Sequence, residues 1–284
     1  MENKAAGFAS LLVCIVLYNK KLSASETFVS LAQHLPPNVL LTVLVYDNSL
    51  EADSAIEIIK SAYSNIQLLY THNAANPGLA VAYNHAAAIA AQLQKDTLVL
   101  FDQDSTVPPE YFNVALLALA NNPAINLFSP AIVSKGIIIS PSQFLFGRAW
   151  AKKEAKPGIT ASKNSSIINS GIIIRLAAFN KLGGYDEALS LDYSDHYFFY
   201  KYKTAFASFF VLPISINHEL STFFDTDYTK VFGRFATYFA ASLLFAQKTN
   251  TKAPLFWSLL RAFKLSVVFK RASFIKYAVG GLLK

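Results

Sequence analysis

The chain of 284 residues contains one cysteine, Cys14, and one methionine. A single cysteine excludes a disulfide scaffold and any cysteine-based zinc site. Charged residues are scarce at 15%, against 53% hydrophobic ones. So apolar a composition excludes intrinsic disorder for most of the chain, because it collapses in water. Long apolar runs are missing as well. A spanning helix needs roughly 20 mainly apolar residues. Residues 235–247 are too few and are flanked by Arg234 and Lys248, while Asn121-Asn122-Pro123 breaks the uncharged stretch 111–134. No transmembrane helix is expected. Acids are absent from one region. Residues 229–284 hold 10 Lys/Arg and no Asp or Glu, whereas residues 1–228 hold 15 Lys/Arg and 18 Asp/Glu. The net charge of +7 therefore arises in the last fifth of the chain. Neither a G-x-x-x-x-G-K-[ST] phosphate loop nor a G-x-G-x-x-G dinucleotide loop occurs, and there is no internal repeat.

What is present alternates. Residues 9–17, 39–46, 66–70, 97–101 and 125–132 read as strands. Residues 23–35, 52–63, 79–93 and 108–120 read as helices, the last opening on prolines where they are tolerated. This order predicts an α/β fold whose ligands bind at the carboxyl ends of the strands. The apolar run 8–18, with Lys4 and Leu22-Ser-Ala-Ser, also has the outline of a signal peptide. Its Val/Ile/Leu content fits a buried parallel strand, and the motifs downstream need a first strand there. The second half is less regular. Residues 135–166 are polar in parts and are expected to include a mobile loop. Strand-like segments lie at 167–175 and 209–216, and from 228 onward the pattern is helical, split near Pro254. Residues 1–228 read as one domain and 229–284 as a basic, apolar helical region.

Chemistry concentrates at the predicted strand ends. Asp47, in Tyr46-Asp47-Asn48-Ser49, can accept hydrogen bonds from a base or ribose, although Asp, Asn and Ser also form turns. Asp102 and Asp104, in Phe101-Asp102-Gln103-Asp104-Ser105, lie on the same side of an extended chain. Two close carboxylates repel, and they offer oxygen ligands to a hard divalent cation that also binds phosphates. The competing reading is a solvated turn with a helix cap. The segment Asn76-Pro77-Gly78-Leu79 runs into a small-residue helix, where Gly78 admits a ligand to the backbone and the helix start favours an anion. Acids cluster again in Gly183-Gly184-Tyr185-Asp186-Glu187 and in Asp192-Tyr193-Ser194-Asp195-His196, where one can serve as a general base or as a cap. His218 closes an apolar strand. A lone histidine is usually structural, yet this position keeps metal ligation in view.

In this order the pieces resemble inverting, family-two-type nucleotide-sugar glycosyltransferases of the GT-A fold, a Rossmann-like nucleotide-binding half with a mixed central sheet. The resemblance covers about residues 9–220. It runs from Leu17-Tyr18-Asn19 through the Asp47 turn, residues 76–84, Phe101–Ser105 and Asn169-Ser170-Gly171 to residues 183–187, Asp192/Asp195 and His218. FDQDS preceded by NPGLAVAYN is most similar to bacterial rhamnosyltransferases of O-antigen and surface polysaccharide synthesis.

The resemblance implies roles. Tyr18 and Asp47 would contact the base and ribose, and Asn76, Gly78 and Asn84 would line the nucleotide-sugar pocket. Asp102 would face the ribose or metal. Asp104 and His218 would bind Mg²⁺ or Mn²⁺ bridging the donor diphosphate. Asp195 would deprotonate the acceptor hydroxyl, with Asp192 as an alternative base or, with His196, an acceptor contact. Relatives often carry Glu-Asp where Ser194-Asp195 stands, and an acid where Tyr197 stands. The implied donor is a nucleotide sugar, dTDP-rhamnose first, and the acceptor a saccharide or lipid-linked saccharide. A non-catalytic nucleotide-sugar or glycan binding module is the alternative. A sugar nucleotidyltransferase is disfavoured, because Leu17-Tyr18-Asn19-Lys20-Lys21 lacks the glycines of such a loop.

In the basic tail, a single helical wheel drawn from Leu255 gathers Arg261, Lys264, Arg271 and Lys276 into an arc of about 140°, with Lys270 and Lys284 outside it. This composition fits docking on the anionic cytoplasmic face of a cell membrane. An ordinary packing helix or a homodimer interface is the alternative. Nucleic-acid binding is not expected, since the stretch is heavily apolar and no such motif accompanies it.

Overall fold

The structure is a computed structural model that describes residues 7–218 and 227–283. Lys4 and Lys284 lie outside these. The first half follows the predicted alternation. The strands β1 (Leu11–Leu17), β2 (Leu41–Asp47), β3 (Ile66–His72) and β4 (Thr97–Asp102) form the parallel block β4-β1-β2-β3. Between them run the helices α1 (Glu26–His34), α2 (Ile56–Ala62) and α3 (Leu79–Gln92). Every residue of β1 and β2 is buried. A strand covered on both faces needs no polar alternation, which explains the continuous apolar run LLVCIVL. Its odd residues (Leu11, Val13, Ile15, Leu17) pack with Phe28, Leu31, Ile56 and Ile59 of α1 and α2. Its even residues (Leu12, Cys14, Val16) pack with Ala82, Ala86 and Ala90 of α3.

The second half makes the sheet mixed. After β5 (Ser105–Thr106) and α4 (Tyr111–Asn121) come β6 (Leu127–Ser134), β7 (Ile137–Leu145), β8 (Arg148–Lys152), β9 (Gly158–Ala161), β10 (Ser165–Ser166) and β11 (Ile172–Arg175). β11 lies antiparallel between β4 and β6. The helices α5 (Leu176–Lys181) and α6 (Ser194–Ala205) precede β12 (Ser208–His218), which runs parallel to β6. Residues 135–166, expected to include a mobile loop, are instead mostly strand. Lys135-Gly136 and Phe146-Gly147 form two-residue hairpin links with positive φ at both positions, the geometry that matches strand twist. Part of the polar character of 135–166 comes from serines that the sheet buries, Ser140, Ser142, Ser165 and Ser166.

From residue 228 onward the chain folds as α7 (Tyr228–Thr249), α8 (Ala253–Val268) and α9 (Ser273–Leu282). These helices share a small core of Phe235, Phe239, Ala262, Phe274 and Ala278. The single wheel drawn from Leu255 does not hold. Lys270 takes a left-handed φ of 51°, so the chain turns between α8 and α9 and Arg271 lies on neither helix. Arg271 stacks instead on Tyr228, 4.2 Å from the ring centre. No helix among the described residues is long and apolar enough to cross a membrane.

The helical region packs on the sheet domain through named contacts. Arg234 makes a bidentate ion pair with Asp192, and Lys248 lies 2.6 Å from Asp186. The Trp257 indole donates to the Phe146 carbonyl at 2.7 Å. Gly147 sits so close to Pro254 that an added Cβ would lie 2.7 Å from its ring.

Candidate functional site

The fold brings acids from distant segments to the carboxyl end of a central strand. Asp102 is the last residue of β4, and Asp104 follows on the turn into β5. β12 pairs with β5 so that His218 stands opposite Ser105. His218 Nδ1 is thereby placed 3.3 Å from Asp104 Oδ1, and 3.3–3.4 Å from the hydroxyls of Ser170 and Ser105. Tyr83, wholly buried, donates to Asp102 Oδ1 at 3.0 Å, and Ser170 donates to Oδ2 at 3.3 Å. Burial and the Asp102 carboxylate push the Asp104 carboxyl above its usual range, against the pull of His218. The buried Asp104 Oδ1 makes no hydrogen bond among the described residues. An unsatisfied buried carboxylate oxygen is costly, and it needs a partner. One oxygen from each acid and one imidazole nitrogen lie within 4.8 Å of one another. Two carboxylates and an imidazole fit a divalent cation, which would supply that partner.

Asp195 occupies the first turn of α6, where the helix dipole favours a carboxylate. Its surroundings outweigh the dipole. Burial, and then the negative Asp102, push the Asp195 carboxyl up to about 8. Its orientation is fixed by Asn169. The side-chain amide donates to Oδ1, and the Asn169 backbone N–H donates to Oδ2 at 3.3 Å. Asn169 is held in turn by the Tyr185 hydroxyl, and the Tyr185 ring stacks on Phe198 at 4.1 Å. A carboxyl that titrates near neutrality and is held in one orientation suits a general base.

The nucleotide-side candidates lie at the neighbouring strand ends. Asp47 ends β2 and is buried. It accepts from the Ser49 N–H at 2.9 Å and from the Tyr70 hydroxyl at 2.7 Å. It lines a pocket of about 310 Å³ together with Asn19, Lys20, Lys21 and Asp53. The Tyr18 ring is 51% exposed, while its backbone N–H and C=O are tied to the Gln103 amide, so the first strand end is pinned to the Asp102–Asp104 turn. Asn76 is exposed and left-handed at φ 47°. Gly78 has φ 95°, and a Cβ there would lie 2.4 Å from the Ser190 carbonyl. The Asn84 amide is engaged by the turn after α5: it donates to the Tyr185 carbonyl and Glu187 and accepts from the Tyr185 N–H.

Asp192 and His196 face a second, larger space. A cleft of about 700 Å³ opens between the start of α6, the β7–β8 turn, α7 and α8. Both Asp192 oxygens are held by Arg234. His196 Nδ1 lies 2.7 Å from the Ser166 hydroxyl, and burial pushes its imidazole down to about 4, which keeps it neutral at neutral pH. The structure thus groups Asp102, Asp104, His218 and Asp195, sets Asp47 and Tyr18 beside them, and turns Asn84 to a structural contact. Sequence reasoning assigned no role to Tyr83, Tyr185, Asn169 or Arg234. The first three lie inside quoted motifs, a signal that could have singled them out. Arg234 carried none, since its partner is 42 residues away.

Residues 12–183 match the model of "Glycosyl transferase family 2". No curated protein matches the chain significantly. Among solved structures, TarS of S. aureus (residues 1–349) superposes with a TM-score of 0.56 at 15% identity, covering 82% of this chain and 64% of that one. The mannosyltransferase PcManGT of Pyrobaculum calidifontis, in complex with GDP-Man and Mn²⁺, superposes with a TM-score of 0.58 at 12% identity, covering 97% and 86%. GalNAc-T7 with UDP, GalNAc and Mn²⁺ gives 0.56 at 16% identity over 74% and 44%. The chain thus spans less than two thirds of the length of the first structures it resembles.

Proposed function

The chain belongs to glycosyl transferase family 2, and from that premise we propose that it moves a sugar from a nucleotide-sugar donor to a hydroxyl of a saccharide acceptor, with inversion. The observation that carries this reading is Asp195, raised to about 8 and oriented by Asn169 at the edge of the Asp102–Asp104–His218 cluster. Asp195 takes the proton of the acceptor hydroxyl. The acceptor oxygen then forms a bond to the anomeric carbon, and the bond from that carbon to the diphosphate oxygen breaks. The electron pair leaves with the nucleoside diphosphate. Asp102, Asp104 and His218 would hold Mg²⁺ or Mn²⁺, which would neutralise charge on the leaving diphosphate. Asp47 and Tyr18 serve the base and ribose, and Asn76 and Gly78 border the donor pocket. One displacement at carbon needs no covalent enzyme nucleophile.

The donor we assign is dTDP-rhamnose, for lipopolysaccharide or O-antigen synthesis, because FDQDS and NPGLAVAYN are most similar to bacterial rhamnosyltransferases. The site of action we assign is the cytoplasmic face of the cell membrane. On α8 the residues Phe256, Leu260, Phe263 and Val267 are all exposed, at helical spacing, in a region with no acid after Asp227. An apolar stripe set among cations favours an anionic lipid surface.

A panel of dTDP-rhamnose, UDP-GlcNAc and GDP-mannose, run with Mn²⁺ and with EDTA, tests the function. Turnover of dTDP-rhamnose that EDTA abolishes is the expected result. Turnover of another donor alone overturns the rhamnose assignment. Binding across the panel without any turnover overturns catalysis and favours a binding module.

A further inference from the structure

We infer, building on the glycosyltransferase reading, that α7 positions the base: Arg234 and Tyr238 hold the start of α6 and thereby set where the Asp195 carboxylate points. The reason begins with what α6 lacks. Helices usually start on Ser, Thr, Asp or Asn, whose side chain accepts from the first turn. α6 starts on Tyr193, which makes no such bond and takes a left-handed φ of 61°. That conformation is rare for an aromatic residue and persists only where the surroundings enforce it. The Tyr197 N–H closes the first turn onto the Tyr193 carbonyl at 2.8 Å. Asp195 lies inside this turn, so whatever holds Tyr193 also fixes the backbone that carries the base.

The hold comes from α7. The Tyr193 ring packs at 4.8 Å on Phe245 and at 5.7 Å on Tyr238, and the two tyrosine hydroxyls lie 3.3 Å apart. Beside Tyr193, both Asp192 oxygens are gripped by Arg234. Earlier in the same segment, Asp186 lies 2.6 Å from Lys248. At about 100° per residue, Arg234, Tyr238, Phe245 and Lys248 fall within an arc of about 80°. A single face of α7 therefore runs along residues 186–197. Phe235 and Phe239, which build the small helical core, project from another face.

This face meets the base network at both ends. Asp195 is oriented by Asn169, and Asn169 by the Tyr185 hydroxyl. Lys248 holds the residue that follows Tyr185, and Arg234 holds the residue three before Asp195. The carboxylate is thus set between the sheet domain on one side and α7 on the other. Asp192, with both oxygens committed to Arg234, serves the base rather than replacing it. Displacement rates depend steeply on such geometry, and a shift of about 1 Å can cost on the order of 10²-fold. Arg234 and Tyr238 act through the backbone of α6, as positioning residues.

Hydrogen exchange of the full chain, without donor or acceptor, reads the hold directly. Amides of residues 186–199 are expected to exchange at least about tenfold faster in Arg234→Ala and in Tyr238→Leu. Phe274→Leu is the control. Phe274 is buried in the helical core against Phe232 and Phe235, away from the gripping face, so its loss lowers stability without loosening residues 186–199. With the donor that turns over, kcat of Arg234→Ala and Tyr238→Leu should fall about 10–10²-fold, while the donor KM is unchanged. Arg234→Lys should recover part of the loss, and Phe274→Leu should keep its kcat. Unaltered exchange across 186–199 in both α7 variants overturns the inference. So does a fall of kcat in Phe274→Leu as large as in Arg234→Ala, which would tie the rate to overall stability. A wild-type chain that turns over no donor would sink the glycosyltransferase reading, and exchange would still decide whether α7 sets the start of α6.

Discussion

The strand-end cluster and the helix-bounded cleft hold like charges of opposite sign, and they hold them by different means. In the cluster, Asp102, Asp104 and Asp195 are gathered by the backbone itself: a central strand, its turn and the start of α6 bring them together. The cost is visible in Asp104 and Asp195, both pushed upward by burial and by Asp102. In the cleft, Arg148 and Arg261 stack on aromatic rings, and of these contacts Arg148 on Trp257 joins the sheet to the helical region. Stability does not explain either arrangement, since like charges brought together oppose folding. The strand-end acids are thereby suited to a divalent cation. The cluster is half-buried at the ends of core strands and the cleft lies at an interface, so the first should be the more sensitive to substitution.

The largest expected effect strikes the cluster. Asp195→Asn is expected to lower kcat by about 10²–10⁴-fold, the range for losing a positioned base, with donor binding retained. The pH profile sharpens the claim. Asp195 moves from 3.8 to about 8, so near pH 7 it is mostly protonated, and the active carboxylate forms as pH rises. Below that value the rate should climb about tenfold per pH unit and level off above it. Asn at this position should abolish the slope. A wild-type rate independent of pH between about 6 and 8 would remove Asp195 as the base.

A smaller effect is expected where the two regions meet. Arg234→Ala leaves the Asp192 carboxylate, only 18% exposed, without its bidentate partner. Hydrogen bonds to charged groups contribute about 1.5–3 kcal/mol. Partial solvation of this pair argues for the lower half of that range. Urea unfolding should register the loss, and Asp192→Asn should recover part of it in the double variant. No change in stability would mean that the helical region docks without help from this pair, and the contrast between the two regions would deepen.

The legibility of the two regions in the sequence differs for the same reason. Parallel strands buried on both faces announce themselves as continuous apolar runs, so β1, β2 and β4 and the acids Asp47 and Asp102 at their ends were readable. The order of short motifs carried the family. Residues 135–166 were not readable as strands, because serine is polar in composition yet is buried here at Ser140, Ser142, Ser165 and Ser166. Lys135-Gly136 and Phe146-Gly147 were the local signals of hairpins. The orientation of Asp195 by Asn169 and Tyr185 depends on hydrogen-bond geometry that residue spacing does not encode. The tail misled the helical wheel because a wheel assumes one unbroken helix, and nothing in Phe269-Lys270-Arg271 marks Lys270 as left-handed.

The smallest expected effect on the fold falls on the outward face of α8, and it separates the surface there from the cleft beside it. Phe263 is 63% exposed and is absent from the small core that Phe235, Phe239, Ala262, Phe274 and Ala278 build. Fully burying a phenylalanine stabilises by about 1.5–3 kcal/mol, and a side chain this exposed keeps little of that. Phe263→Ser should therefore change unfolding free energy by less than about 0.5 kcal/mol, as surface substitutions do. Donor turnover with a water-soluble acceptor should also be unchanged. Flotation with anionic vesicles should fall, because the substitution interrupts the Phe256–Leu260–Phe263–Val267 stripe while leaving every cation in place. Electrostatic attraction to anionic lipid alone, in the absence of inserted apolar area, weakens steeply with salt. The residual vesicle binding of Phe263→Ser should thus be more salt-sensitive than that of the unaltered chain. Undiminished flotation at every ionic strength would assign the stripe to a protein partner such as a second copy of this chain, and sedimentation of the same variant would then read the change.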